Sequence, residues 1–144
     1  MIEINEELIQ ELFNEAVVNP RKRQSYDLRT SEDDCSQRML NTLMPGTEIA
    51  IHRHPNSNEN VICLCGKIIE ILFEEVKPLP CPTGADTTKL ELTEKCRYIL
   101  DPKNGKYGCI VPIGTWHTVK VLEPSVIYEA KDGKYGQDGS ETWK

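Results

Sequence analysis

The fold of this chain is decided by the stretch Gly46-Thr-Glu-Ile-Ala-Ile-His52-Arg-His54-Pro-Asn-Ser-Asn-Glu59-Asn-Val-Ile-Cys-Leu-Cys-Gly66. Its two histidines lie two positions apart in an extended run, so both side chains project from the same face of a strand. A turn of proline, asparagine and serine follows, and Glu59 opens the returning strand. The hairpin therefore sets one carboxylate across from two imidazoles, which is a donor set for a divalent metal ion.

The remaining histidine lies in a second turn-and-strand stretch. This stretch reads Pro112-Ile113-Gly114-Thr115-Trp116-His117, and a strand is predicted over residues 116–121. The chain has three histidines, and all of them fall within these two stretches. Three nitrogen donors and one oxygen suit zinc, iron, nickel, manganese or cobalt, and the sequence does not choose among these ions. The predicted metal ligands are His52, His54, Glu59 and His117.

Both stretches resemble the two motifs of the cupin family. Residues 46–66 have the spacing of the complete first motif, and Pro112-x-Gly114-x-x-His117 has that of the core of the second. The second motif departs at its ends, where Lys106 replaces the usual glycine and Val121 the usual asparagine. Gln37-Arg38-Met39-Leu40 and Glu129-x-Lys131-x-Gly133 further resemble the small WbuC-type cupins. This narrower resemblance implies carbohydrate or cell-surface polysaccharide metabolism.

One helix followed by short strands predicts an all-β fold. Apolar residues follow helical spacing over residues 5–18, with Asn5 as the N-cap and Asn19-Pro20 as the stop. With the motif resemblance, the chain is expected to form a single-domain jelly-roll (cupin) barrel. Residues 1–20 would pack on the barrel, 21–131 would form it, and 132–144 would be a tail. Strands are predicted at residues 25–30, 38–43, 47–54, 59–66, 67–75, 89–92, 97–100, 107–111, 116–121 and 125–130, with a loop at 76–88 and a turn at Glu123-Pro124.

Composition excludes several classes of partner. The 144 residues form one domain, and a net charge of −6 offers no basic surface for nucleic acid. The start of the chain lacks the basic stretch of a secretory signal, and no apolar run approaches the roughly 20 residues of a membrane span. We therefore expect a cytoplasmic protein that binds a small-molecule ligand and neither nucleic acid nor membranes. The cupin resemblance implies a homodimer.

The six cysteines are expected to be reduced and structural. Their even number raises a disulfide framework, but the absence of a secretory signal disfavours it. Cys63 and Cys65 share one strand, and a Cys-x-Cys zinc site is the alternative interpretation. The six are Cys35, Cys63, Cys65, Cys81, Cys96 and Cys109.

A basic run, Arg21-Lys22-Arg23, follows the predicted helix. Basic residues at this place commonly interact with the negative end of the helix dipole. An anion or phosphate site is the functional alternative.

Two classes of function remain open. The first is a metal-dependent enzyme on a small polar substrate, either an isomerase or epimerase or an Fe(II) dioxygenase. The second is a non-catalytic metal or small-ligand binding module, which a cavity lined mainly by apolar side chains would favour. The candidate catalytic residues are Glu129, Tyr107, Arg38 and Lys131.

Overall fold

The computed structural model of the chain describes residues 1–80, 82–84 and 88–144. Within them lie one α-helix, α1 (Glu6–Val18), a 3-10 helix (Pro102–Asn104) and antiparallel strands. This arrangement confirms the predicted all-β class with a single N-terminal helix. The strands are β1 (Arg23–Asp27), β2 (Ser36–Leu43), β3 (His52–Arg53), β4 (Glu59–Val76), β5 (Glu91–Leu100), β6 (Gly108–Val111), β7 (Trp116–Asp132) and β8 (Glu141–Thr142).

The two longest strands, β4 and β7, form the centre of the sheet. They pair with each other along most of their length, and the C-terminal half of β7 also pairs with β2. The short strand β3 pairs with the start of β7 on one side and with β8 on the other. β4 additionally carries β5 and β6, and β1 lies outside β2. β7 therefore connects the strands that bear the predicted metal ligands.

The predicted turn at Glu123-Pro124 is wrong, because β7 continues through it. The pairing of β4 with β7 shifts register between Cys65 and Lys67, opposite this dipeptide, so the proline's missing N–H falls at an irregularity. Gly66 lies at the same place with a φ of 88°. A Cβ on Gly66 would lie 2.2 Å from the Ser125 hydroxyl, so the close approach of the strands requires glycine.

Other strand boundaries also differ from the predictions. Of the strand predicted at residues 47–54, only His52–Arg53 pairs as a strand, because residues 47–51 make isolated contacts instead of a ladder. The strands predicted at 89–92 and 97–100 form one strand, β5, with a bulge that leaves Lys95 without a register partner. Four residues of the predicted loop 76–88, at positions 81 and 85–87, lie outside the described residues.

Two apolar clusters hold the sheet and helix together. One lies within the sheet and is built around Val61, Ile68 and Ile127. The other joins Leu12 of α1 to Leu40 of β2 and to β7. Full burial of each such aliphatic side chain contributes about 1.5–3 kcal/mol. The helix thus covers the outer face of β2 while the opposite face of that strand stays free to line a cavity.

The register shift in β4 separates its two cysteines. Cys63 packs in the cluster within the sheet, whereas Cys65 packs in the cluster under α1. Burial raises the pKa of the Cys63 thiol to about 11 and also raises that of Cys65. The described cysteines are free thiols, and Cys81 lies outside the described residues. Among the described residues no helix has the length and apolar character to cross a membrane.

Candidate metal centre

The three histidines converge where β3 meets the start of β7. His52 lies directly opposite His117 in the strand register, with ring centroids 4.2 Å apart. His54 follows β3 and places its ring 5.0 Å from His52 and 5.3 Å from His117. One ring nitrogen of each histidine lies within 4.8 Å of those of the other two. Among residues 1–80, 82–84 and 88–144, this is the group of at least three potential ligand side chains that has the spacing of a metal site.

The outer ring nitrogens of the histidines are held by hydrogen bonds. Nδ1 of His52 and Nδ1 of His117 lie 2.9 Å from the carbonyl oxygens of Ala50 and Thr115. A carbonyl oxygen only accepts, so both Nδ1 atoms carry protons. The Nε2 lone pairs of His52 and His117 are therefore the free donors, as in metal sites whose imidazoles are oriented by an outer hydrogen bond.

Glu59 opens β4 on the inner side of the cluster. Its carboxylate oxygens lie 2.9 Å from Nε2 of His54 and 3.5 Å from Nε2 of His117. Both Nε2 atoms are buried and have no hydrogen-bond partner. An imidazole lone pair and a carboxylate repel each other unless a cation lies between them. The four side chains therefore fit a divalent metal ion, which would accept electron pairs from all of them.

The charge states of these residues suit metal binding. Burial, together with the neighbouring His117, lowers the pKa of His52 to about 4, so His52 is neutral at pH 7. Burial alone would raise the pKa of Glu59, but positive charge or donated protons on His117 and His54 outweigh burial and lower this pKa, and a metal ion held by neutral imidazoles would act on the carboxylate in the same direction. A neutral imidazole and an ionised carboxylate are the ligating forms of these groups.

A cavity of about 390 Å³ opens from the histidines toward β1 and β2. A hydrogen-bond path follows its wall: the Ser25 hydroxyl donates to Asn41 Oδ1 at 2.6 Å, and Asn41 Nδ2 donates to Glu129 Oε2 at 2.9 Å. Burial raises the pKa of Glu129 to about 8, with the negative charge of Glu59 adding to the effect. Glu129 thus holds its proton at neutral pH.

The candidate catalytic residues occupy different places. Glu129 lines the cavity beside His54 and Glu59. The Lys131 amine is buried and donates to the Asp138 carboxylate. Arg38 pairs with Asp34 at 3.0 Å, and Tyr107 is 63% exposed. Arg38 and Tyr107 are not among the described residues that line the cavity.

The C-terminal segment contributes Ser140 and Asp138, which sequence analysis did not single out. Nδ1 of His54 lies 2.7 Å from the Ser140 hydroxyl, which donates to the Asp138 carboxylate. Next to it, the Trp143 ring packs edge-on against Trp116 at 5.1 Å, and the backbone N–H of Trp143 donates to the Ile51 carbonyl at 2.9 Å. A short run of glycine, serine and charged residues carries no periodic signal, so these contacts depend on tertiary structure.

Glu70 is a second residue that sequence analysis missed. It is 0% exposed within β4, and neither carboxylate oxygen has a hydrogen-bond partner. Burial, with the charges of Glu59 and Glu129, raises its pKa well above the usual range. A usable signal existed, because Glu70 shares strand parity with the apolar residues Ile68 and Leu72.

Solved structures share this architecture. CapF, a capsular polysaccharide assembling protein from Staphylococcus aureus, aligns with a TM-score of 0.60 and 18% identity over 88% of this chain and 33% of its own. Oxalate oxidase aligns at 0.55 and 13%, over 87% of this chain and 57% of its own. TT1209 from Thermus thermophilus aligns at 0.57 and 19%, over 92% and 98%. The chain thus spans a third of CapF and just over half of oxalate oxidase.

At these identities the likeness concerns the fold. The chain has a cupin fold, and its three clustered histidines have the spacing of a group that could hold a metal ion. The chain belongs to the family described as Domain of unknown function (DUF6016), which matches residues 4–79. No curated protein sequence matches the chain.

Proposed function

We propose that the protein is a metal-dependent enzyme acting on a small polar substrate, with His52, His54, His117 and Glu59 as metal ligands. The observation that supports the metal best is the pair of buried Nε2 atoms, on His54 and His117, that face a carboxylate without a hydrogen bond. A bound divalent ion would supply Lewis-acid polarisation of a substrate oxygen.

Glu129 is the proposed general acid and base. Asn41 fixes one carboxyl oxygen, Oε2, and the other oxygen remains for a substrate in the cavity. A carboxyl group with a pKa near 8 holds its proton at neutral pH. Because this pKa lies close to the operating pH, transferring the proton costs little free energy. Isomerisation and epimerisation require such a proton transfer beside a polarised carbonyl.

The lining of the cavity favours an enzyme over a binding module. Ser25, Asn41 and Glu129 place polar atoms along the wall next to the histidines, whereas a passive module would be expected to offer a mainly apolar wall. Related folds hold small ligands, since one CapF structure contains the inhibitor 3-isopropenyl-tropolone and one oxalate oxidase structure the substrate analogue glycolate. A carbohydrate-related substrate, the WbuC-type relationship and a homodimer belong to this proposal.

The proposed ligand set is tested by elemental analysis of protein purified without a metal-affinity tag. We expect about one divalent ion per chain in the wild type, and a sharp loss in His54→Ala and His117→Ala with the near-native circular dichroism retained. The double variant Cys63→Ser/Cys65→Ala is the control and should keep the metal. Full metal retention in both histidine variants would rule out the ligand set.

The reaction class is tested by loading the metal-free protein with Fe(II) under anaerobic conditions and then measuring O₂ uptake with small thiols and sugars. Stoichiometric iron with O₂ consumption supports the alternative, a dioxygenase. Zinc or nickel with no O₂ consumption supports the acid–base enzyme, and loss of sugar-nucleotide turnover in Glu129→Gln would then assign the proton transfer.

A further inference from the structure

Two arginines line the same cavity as the histidines. Arg21 is exposed and Arg23 is half-buried, and both contribute to the wall near β1. Arg23 shares its face of β1 with Ser25, two positions on, where the hydrogen-bond path to Asn41 and Glu129 begins. The arginines therefore lie at the outer end of a polar wall whose inner end is the metal centre.

Neither guanidinium has an acidic partner among the described residues. Arg23 Nη1 donates to the Glu48 carbonyl at 3.0 Å, which leaves its charge uncompensated. The chain has six arginines, and each of the other four pairs with a carboxylate. The two arginines without such a partner are the two that line this cavity. The four paired arginines are Arg29, Arg38, Arg53 and Arg97.

The backbone between these arginines is held in an unusual conformation. Lys22 has a φ of 55°, in the left-handed region that non-glycine residues seldom adopt. Its N–H donates to the Asn19 carbonyl at 2.8 Å, and the Thr47 hydroxyl donates to the Arg21 carbonyl at 2.7 Å. Strained backbone of this kind is found at ligand clamps, where the surrounding structure fixes it.

The acidic residues of the cavity do not neutralise the arginines. Glu59 faces two imidazoles, and the Asp138 carboxylate accepts hydrogen bonds from Lys131 and Ser140. Glu129 keeps its proton at neutral pH. The cavity of a protein with a net charge of −6 therefore presents positive charge at its outer wall.

We infer that Arg21 and Arg23 bind an anionic group of the substrate, a carboxylate or a phosphate, while another oxygen of the same molecule faces the histidine cluster. Guanidinium groups bind both kinds of anion through paired, charge-assisted hydrogen bonds. A volume of about 390 Å³ suits a molecule of monosaccharide size. The inference rests on the proposed function for the second contact, and it names the substrate class that the function leaves open.

The test is calorimetric titration of zinc-loaded and metal-free protein with inorganic phosphate, malonate and malonamide at constant ionic strength. We expect one of the anions to bind and malonamide, the neutral analogue of malonate, to fail. The double variant Arg21→Gln/Arg23→Gln should weaken anion binding roughly tenfold or more, because charged hydrogen bonds are lost. The control Arg97→Gln removes one positive charge from an exposed position on β5 and should leave binding unchanged.

The outcomes separate this inference from the proposed function. Binding of phosphate alone or of malonate alone identifies the anionic group. The inference is overturned, and the metal site is left standing, if wild-type protein takes up zinc but binds neither anion at millimolar concentration. The same conclusion follows if the double variant binds the anions as tightly as the wild type. Anion binding through the arginines in a protein that takes up no metal supports the inference and contradicts the proposed function.

Discussion

At the scale of single residues, Glu70 is a buried carboxyl group whose two oxygens have no hydrogen-bond partner. A buried carboxyl with no hydrogen bond carries a desolvation penalty even when it is protonated. Glu70→Met removes this penalty at nearly constant volume and should raise the free energy of unfolding by about 1–3 kcal/mol. Urea denaturation at pH 7 measures the change.

Glu70→Gln is the matched control for that substitution. It keeps a polar group without a partner, so its stability should stay close to that of the wild type. Destabilisation by methionine would mean that Glu70 makes a polar contact in solution, with water or with a ligand of the cavity.

The ionisation of Glu129 should make the free energy of unfolding depend on pH. Its ordinary pKa of 4.5 rises to about 8 on folding, so the folded protein keeps a proton that the unfolded chain releases. The stabilisation from this proton is complete below about pH 4.5 and is lost as the pH rises through 8. We expect the free energy of unfolding of metal-free protein to fall as the pH rises from about 4.5 to about 8 and to level off above that.

Glu129→Gln should reduce that slope, since the amide cannot ionise and its carbonyl can still accept from Asn41. Urea titrations at several pH values measure the slope, and Glu94→Gln, an exposed substitution on β5, is the control. An unchanged slope in Glu129→Gln would assign the pH dependence to Glu70 instead, whose pKa is raised in the same direction.

Residue spacing predicted the neighbours of His52 within the hairpin, whereas the distant His117 was predicted from the resemblance of its motif. The pattern His52-x-His54 followed by Glu59 places three donors within one hairpin, and strand parity alone brings them together. The contact of Ser140 with His54 spans 86 positions and follows no periodic pattern. Such contacts depend on how separate elements dock, which spacing does not encode.

At the scale of elements, two turns and the C-terminal segment hold the histidine cluster in place. The Gly114 N–H donates to the His54 carbonyl at 2.9 Å, and the Ile113 N–H donates to the Asn58 side chain at 2.7 Å. The turn of the first motif is thereby fixed to the turn of the second. Ser140 then fixes the His54 ring from the outside.

Ser140→Ala should lower zinc affinity about 10–100-fold, because an imidazole without its outer hydrogen bond is less well oriented and less basic. Competition with a chromophoric chelator measures the affinity, and the thermal midpoint should change little. Ser31→Ala, in an exposed turn, is the control. Equal zinc affinity in the Ser140 and Ser31 variants would mean that the hydroxyl does not orient His54.

Strand existence was predicted better than strand boundaries. The proline at position 124 and the polar run in β5 indicated breaks, yet both strands continue through them. A register shift accommodates the proline, and a bulge accommodates Lys95. Bulges arise from pairing with a distant strand, so the local sequence does not predict them.

At the scale of the whole molecule, a bound metal should stabilise the fold. The predicted ligands come from β3, the turn after it, β4 and β7, so they are brought together only in the folded state. Zinc at a hundredfold excess over its Kd should add about 2.7 kcal/mol. For a chain of this size that corresponds to a rise of roughly 6–10 °C in Tm.

Differential scanning calorimetry with zinc and with a chelator measures the shift. The double variant His54→Ala/His117→Ala should show no rise in Tm with zinc. A rise as large as that of the wild type would place the bound zinc elsewhere in the molecule, and the cysteines would then be tested.

The pairing of β7 with β2 and β4 also limits the rate at which the chain folds. These strands come from distant parts of the chain, as do His54 and Ser140. Chains dominated by such non-local pairing fold in roughly milliseconds to seconds, because the entropy cost of closing long loops comes before the stabilising contacts form. We therefore expect the histidine cluster to gain affinity for a metal ion only after β7 and the C-terminal segment have docked.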